Sequence, residues 1–181
     1  MIRPTSAVAF SGLALCAAFL GVAFLAACSD KGPPSGQPSF YIDLSQPGTT
    51  LDANAAQSMI SGYRGNNGLG PLVIDPDLMR LANDQAQAMA ARDKLDHDAA
   101  HPFAERIRKS GYNAKVAVEN IGAGYHTLAE AFSGWRDSPP HKANMLNSGV
   151  THMGIAAVYT PKSKYKVYWS LIMAAPDDRK S

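Results

Sequence analysis

Cysteine is nearly absent from this chain. Its two cysteines, Cys16 and Cys28, both fall within the first 28 residues, so everything downstream must hold together without a disulfide. Surplus charge is missing too: the formal net charge is +2, and no run of lysines or arginines tracks along one face. That excludes a nucleic-acid partner, which needs such an electrostatic footprint. No internal repeat is found. What the chain does have is 46% hydrophobic content over 181 residues, enough to build the core of one domain plus flanking segments.

The flanking segments come first. Residues 1–28 carry one charge, Arg3, followed by a long Ala/Leu/Val/Phe run that ends in "LAAC", Leu25 to Cys28. This reads as a targeting segment and not as part of the fold. Small residues at Ala26 and Ala27 suit a bacterial lipoprotein peptidase, with cleavage before Cys28 and a lipid on its thiol. A plain secretory signal and an uncleaved membrane anchor are the alternatives. All three put the domain in the bacterial cell envelope, outside the cytoplasm. Residues 29–50 hold four prolines, three glycines and four serines, which predicts a solvated tether. "FYIDL", Phe40 to Leu44, is apolar enough for the alternative, an arm docked on the domain. The domain is expected over residues 51–175, with a polar tail at 176–181.

Within the domain, Asp52 can cap a helix that runs to about Arg64. Asp75-Pro76 starts a longer one, with Leu78, Leu81, Ala82, Ala86, Met89 and Ala90 at helical spacing. "HPFAERIRKSGY", His101 to Tyr112, predicts a short third helix stopped at Gly111. "KVAVENI" alternates like a strand, and Thr127 with Glu130 forms a capping box for a helix to about Asp137. Ser138-Pro139 repeats the cap-plus-proline device. "HMGIAAVYT" and "KVYWSLIMA" close the domain as a hairpin around "PKSK". The fold class is therefore α+β, with helices on both faces of a small antiparallel sheet.

One residue resists a structural explanation. Glu119 sits among Val116, Val118 and Ile121, where a carboxylate must be protonated, paired or turned to a cleft. Five histidines could partner it: His97, His101, His126, His141 and His152. Spacing alone does not choose among them.

The order "NDQAQAMAARDKLDH … GYNAKVAVENIGAGY … AFSGWRDSPPHKANMLNSGVTHMGIA … YWSLIMA" resembles the CAP superfamily. That family takes in cysteine-rich secretory proteins, insect-venom antigens, plant pathogenesis-related proteins and many secreted bacterial members. The resemblance spans about Leu51 to Ala174 and is most specific in "ENIGAGY" and "GWRDSPPHKANML". It implies a three-layer α-β-α sandwich with a cleft lined by two histidines and two acids. Carried over by motif, these are His97 in "KLDH", Glu119 in "ENI" and His141 in "SPPHKAN". The second acid of the eukaryotic pattern falls on Ser138, with Asp137 beside it but offset. Val118 stands where many relatives have glycine, which implies a narrower cleft floor.

Two imidazoles can hold a divalent metal such as Zn2+, weakly in the absence of a third protein ligand. Glu119 would orient one of them or take a proton from metal-bound water. Ser138, His141 and Glu119 could alternatively form a hydroxyl–imidazole–carboxylate set, but Ser138 is explained as a helix cap and no nucleophile elbow surrounds it. The bland alternative is a buried polar knot pinning helix to sheet. The leading expectation is thus an envelope lipoprotein that binds a lipid, a glycan or another envelope component. Some family members are associated with sterol or fatty-acid binding, which implies a second, apolar groove. The runner-up is a metal-assisted hydrolase of peptide or cell-wall material.

Overall fold

Asp52 and Asp75 start the first two long helices, as their position before apolar periodic runs predicts. In the computed structural model, which describes residues 36–177, each carboxylate accepts two backbone N–H bonds from the first turn. The first helix, α1, spans Ala53–Gly65 and the second, α2, Pro76–Arg92. Two further helices, α3 (Phe103–Lys109) and α4 (Leu128–Asp137), follow; α4 begins with the complete Thr127/Glu130 capping box. A short α5, Pro139–Met145, completes the helical set.

Four strands make one sheet in the order β1-β3-β4-β2. β2 (Ala114–Ala123) and β3 (His152–Tyr159) both pair antiparallel with β4 (Val167–Pro176). β1, only Val73–Ile74, adds a parallel edge that the Gly/Asn-rich stretch before it did not predict. Alternation along the strands sends side chains to two separate layers. Met153, Ile155, Val167, Trp169, Leu171 and Met173 pack with α1 and α4 residues such as Ile60 and Trp135. Ala156, Ile172 and Ala174 pack with Leu78, Ala82 and Ala86 of α2 and Ile107 of α3. The result is the expected α-β-α sandwich, closed on both faces.

The approach of α2 to the sheet is close. A Cβ placed on Gly154 would lie 2.0 Å from the backbone carbonyl carbon of Leu78, so only glycine allows this contact. Just along the strand, the Ile155 N–H donates to Met79 Sδ at 3.2 Å.

Two boundaries need correction. The tether expected over 29–50 is a docked arm from residue 36 onward: Leu44 is buried, Phe40 and Ile42 pack on the core, and Leu44 N–H donates to the His126 carbonyl at 2.7 Å. The apolar content of "FYIDL" outweighs the surrounding Pro and Gly, because burying those side chains removes apolar area from water. Residues 29–35, like the targeting segment with Cys28 and the end of the polar tail at 178–181, lie outside the described residues. The start of that tail is sheet: β4 runs to Pro176, and Asp177 N–H donates to the Asn113 carbonyl.

A buried cation pins the α1 layer. Arg64, which the sequence places merely at a helix end, is 2% exposed. It donates to the carbonyls of Gly70, Met145, Asn147 and Val150 and so fastens the chain after α5 to the end of α1.

Candidate functional site

Glu119 lies on β2 opposite Ile172, with its side chain 2% exposed. Of the three options open to a carboxylate in such a place, it is paired. The partner is Arg106 of α3, whose Nη2 donates to Oε1 at 2.8 Å and to Oε2 at 2.9 Å. Sequence reasoning missed this residue. A buried acid signals that some cation must be near, but a separation of thirteen positions conceals which one. Arg106 is itself held by its Nε bond to the His101 carbonyl and a third Nη2 bond to the His97 carbonyl. Its Nη1 is buried and finds no acceptor among the described residues.

His97 completes this group. It sits in the loop after α2, and its Nδ1 donates to Glu119 Oε2 at 2.8 Å while half of its side chain stays exposed. Gln85, fully buried on α2, positions that loop: its Nε2 donates to the carbonyls of Asp96 and His97, and its Oε1 accepts from Ala100 N–H. Ser170 Oγ stands 3.4 Å from Glu119 Oε1. The polar knot expected of His97, Glu119 and His141 forms instead from Glu119, Arg106 and the inner nitrogen of His97, without His141.

His141 arrives from the sheet edge. The Asn120 side chain donates to the His141 carbonyl at 3.0 Å; Asn144 donates to the Glu119 carbonyl at 3.0 Å and to Asn120 Oδ1 at 2.9 Å. These two asparagines clamp α5 against β2 and bring a histidine 22 positions away beside the carboxylate's strand. Glu119 makes no bond to His141.

Ser138 differs from its expected role. It precedes α5 but makes no side-chain capping bond; its Oγ lies 2.9 Å from His141 Nδ1 instead. The reason is local: Pro140 removes the N–H of the second helical position, and the hydroxyl turns to the His141 ring in place of the His141 N–H, the donor still open to a cap. The hydroxyl–imidazole–carboxylate set does not assemble, since the carboxylate serves His97. Asp137 pairs with Arg136 on the surface, away from the group. Val118 packs into the α1/α4 layer, on the face opposite Glu119, so it narrows nothing at the site.

The two imidazoles differ in charge preference. The hydrogen bond to Glu119 raises the pKa of His97, against opposing burial and the nearby Arg106. Burial lowers that of His141, and the charge on His97 adds to the effect. In metal-free protein, an NMR titration is therefore expected to show His97 protonating above the ordinary value near 6.5 and His141 below it. Glu119→Gln should lower the His97 pKa, because it removes the largest raising influence and leaves only the smaller one of Asp98 against burial and Arg106. A His97 that still titrates high in this variant would show that Glu119 is not the cause. The linked stability terms have opposite signs. The His97 contribution is full at low pH and fades as pH rises through its raised pKa. The His141 contribution is present above the ordinary value and fades as pH falls toward its lowered one.

Cavities lie nearby. Arg106, Arg80, Asp84, His101 and Lys109 border one of about 230 Å³, which neither His97 nor His141 lines. An apolar hollow of about 600 Å³ lies between the docked arm and α1, bordered by Phe40, Ala55 and Met59.

A profile of the cysteine-rich secretory protein (CAP) family matches residues 57–173. The chain belongs to the CAP family. It is 35% identical over 123 residues to an uncharacterized protein, YkwD, of Bacillus subtilis (strain 168); the match covers 60% of this chain and 48% of that one. The chain thus spans about half the length of that relative. Among solved structures, an extracellular SCP-domain protein of Bacillus anthracis aligns with a TM-score of 0.59 at 20% identity, covering 67% of this chain and 39% of that one. An outer surface protein of Borrelia burgdorferi aligns with a TM-score of 0.60 at 20% identity, covering 71% of this chain and 98% of that one. Both neighbours are extracellular or surface proteins, and among the described residues no helix is long and apolar enough to cross a membrane.

Proposed function

We propose that this CAP protein is a lipid-anchored binding module of the bacterial envelope, tethered through Cys28, whose His97/His141 pair captures a ligand with or without a divalent metal. The observation that supports binding over hydrolysis is the state of Glu119. Arg106 and His97 already engage both its oxygens, so Glu119 is held as a structural partner and not poised as a general base. The Nδ1 atoms of His97 and His141 are engaged by Glu119 and Ser138, so Nε2 is the nitrogen each ring has left for a ligand.

That donor set suits a loosely held zinc ion. His97 and His141 would hold it, with Glu119 behind His97 as the carboxylate that fixes ring orientation. Among the described residues no cluster of three His, Cys, Asp or Glu could hold a metal. About half of the positions on a four-coordinate ion would therefore belong to water or ligand. When bound, zinc would supply a Lewis-acidic anchor for an anionic or carbonyl oxygen. The hollow beside Phe40 and Met59 offers an apolar second surface, which supports a lipid among the candidate ligands.

Zinc calorimetry tests the reading. The wild-type protein is expected to bind weakly, and His97→Ala and His141→Ala each to abolish the heat while keeping the far-UV spectrum. Unchanged affinity in both variants removes the metal. Turnover of peptides or peptidoglycan that stops on chelation would replace the binding module with a hydrolase.

A further inference from the structure

The long edge of the sheet is covered over only half its length. β2 pairs with β4 alone, so every second residue turns its N–H and C=O away from the sheet. Gly124, next after β2, donates its N–H to the Val167 carbonyl, which sets the even-numbered residues toward β4 and the odd-numbered ones outward. Two of the outward carbonyls are taken: Asn144 donates to that of Glu119 and Trp135 Nε1 to that of Ile121, both at 3.0 Å. Ala117 is turned outward by the same alternation, and no group among the described residues meets its N–H or C=O. Lys115, two residues before it, is exposed in a bulge and has no partner on β4. Beside this open half stands α3. Its Phe103, Ala104 and Ile107 border a hollow of about 250 Å³ together with Lys115, Val116 and Ala117. A second hollow, of about 320 Å³, continues past Ala104 and Ile107 to Gly111 and Asn113. The buried Arg106–Glu119 pair fastens α3 to the strand, so the wall of this groove is fixed.

We propose that the open half of β2, around Ala117, is a docking edge for an extended peptide, which adds as a further strand and seats an apolar side chain against Phe103, Ala104 and Ile107. The chemistry of the edge selects that occupant. Backbone N–H and C=O groups presented along a strand are matched by another extended backbone. Side chains of such a backbone alternate between faces, so one set of them meets the apolar wall of α3. A second copy of this domain fits less well, because the bulge and the exposed Lys115 blunt the edge against another sheet. Asn144 and Trp135 close the edge from Glu119 onward, which limits the occupant to a short segment. The proposal rests on neither the zinc site nor the lipid anchor.

The test is amide hydrogen exchange of the purified full chain, with a short blocked peptide of alternating valine and threonine as the probe. Backbone pairing tolerates sequence, so a probe of general strand character suffices. The peptide is expected to slow exchange at Ala117. The same peptide N-methylated at every residue keeps its side chains, loses its N–H donors and should have no effect. Ala117→Pro removes an N–H that the β4 ladder does not use, so the variant should fold. It should bind a labelled probe more weakly by on the order of 10-fold. Ala104→Glu, at an exposed position on α3, should also weaken binding by placing a charge at the hollow. An Ala117 amide that exchanges unchanged with the probe present overturns the proposal, as does equal binding of the N-methylated peptide or of a folded Ala117→Pro variant. Full binding by Ala104→Glu overturns it as well, and decides alone if the proline variant does not fold. Protection of Ala117 that rises with protein concentration in the absence of peptide would assign the edge to a second copy, and overturns it too.

Discussion

Arg106→Ala is expected to lose about 3–5 kcal/mol of unfolding free energy, because it strands a buried carboxylate without its cation. Glu119 is 2% exposed and Arg106 4%, so water does not replace the lost partner without opening the α3 side of the sheet. The variant also frees the carbonyls of His97 and His101, which Arg106 holds, so the loop carrying His97 loosens, and the zinc binding proposed for that residue should weaken with stability. Urea unfolding measures the first effect and calorimetry the second. The double variant Arg106→Met/Glu119→Leu should recover most of the stability, since an apolar pair of similar volume needs no compensation. It should recover none of the elevated His97 pKa. A single-variant loss under about 1 kcal/mol would mean that solvent already reaches Glu119 and that the ion pair does not hold α3 down.

Gly154→Ala should destabilise by about 3 kcal/mol or more, an unusually large effect for one methyl group. The added carbon would overlap the peptide of Leu78 and Met79, and backbone on both sides prevents a side-chain adjustment. α2 would have to lift from β3, opening the layer that Ala82, Ala86 and Ile172 fill. Gly62 provides the contrast. It lies inside α1 with nothing near its missing Cβ, so Gly62→Ala should raise stability by about 0.5–1 kcal/mol through helix propensity. Thermal and urea unfolding of the two variants compare them directly. Similar small shifts in both would mean that the helix does not lie so close to the strand.

Local features were legible because their causes are local. Asp52, Asp75-Pro76 and Thr127/Glu130 act within one helical turn, and each starts the helix that its spacing predicts. Alternation in β3 and β4 likewise predicts which side chains share a face. Ser138-Pro139 also starts its helix, but without the side-chain cap, because the Ser138 hydroxyl meets the His141 ring instead. The arm was misjudged because Pro and Gly content speaks for the unfolded chain's freedom. Docking instead depended on whether an apolar surface beside α4 was available to Phe40, Ile42 and Leu44.

Residues at the site divide in the same way. His97, Glu119 and His141 were visible through motifs, but which of them touch was not. Glu119 takes Arg106 and His97, while His141 takes Ser138 and is steered by Asn120 and Asn144. Arg106, Gln85 and Arg64 carried no signal at all, since each looks like an ordinary polar residue on a helix until its surroundings exclude water.

From its sequence alone the chain determined where helices begin, which faces are apolar, that no disulfide supports the domain, and that one acid stands where an acid is costly. Tertiary structure decided the partners: which cation neutralises that acid, which imidazole it orients, and that a glycine must admit α2 to the sheet. The reason is range. Hydrogen bonding within a turn and alternation along a strand act between near neighbours, whereas desolvation and close packing depend on every element that arrives, and those meet only when the three layers close.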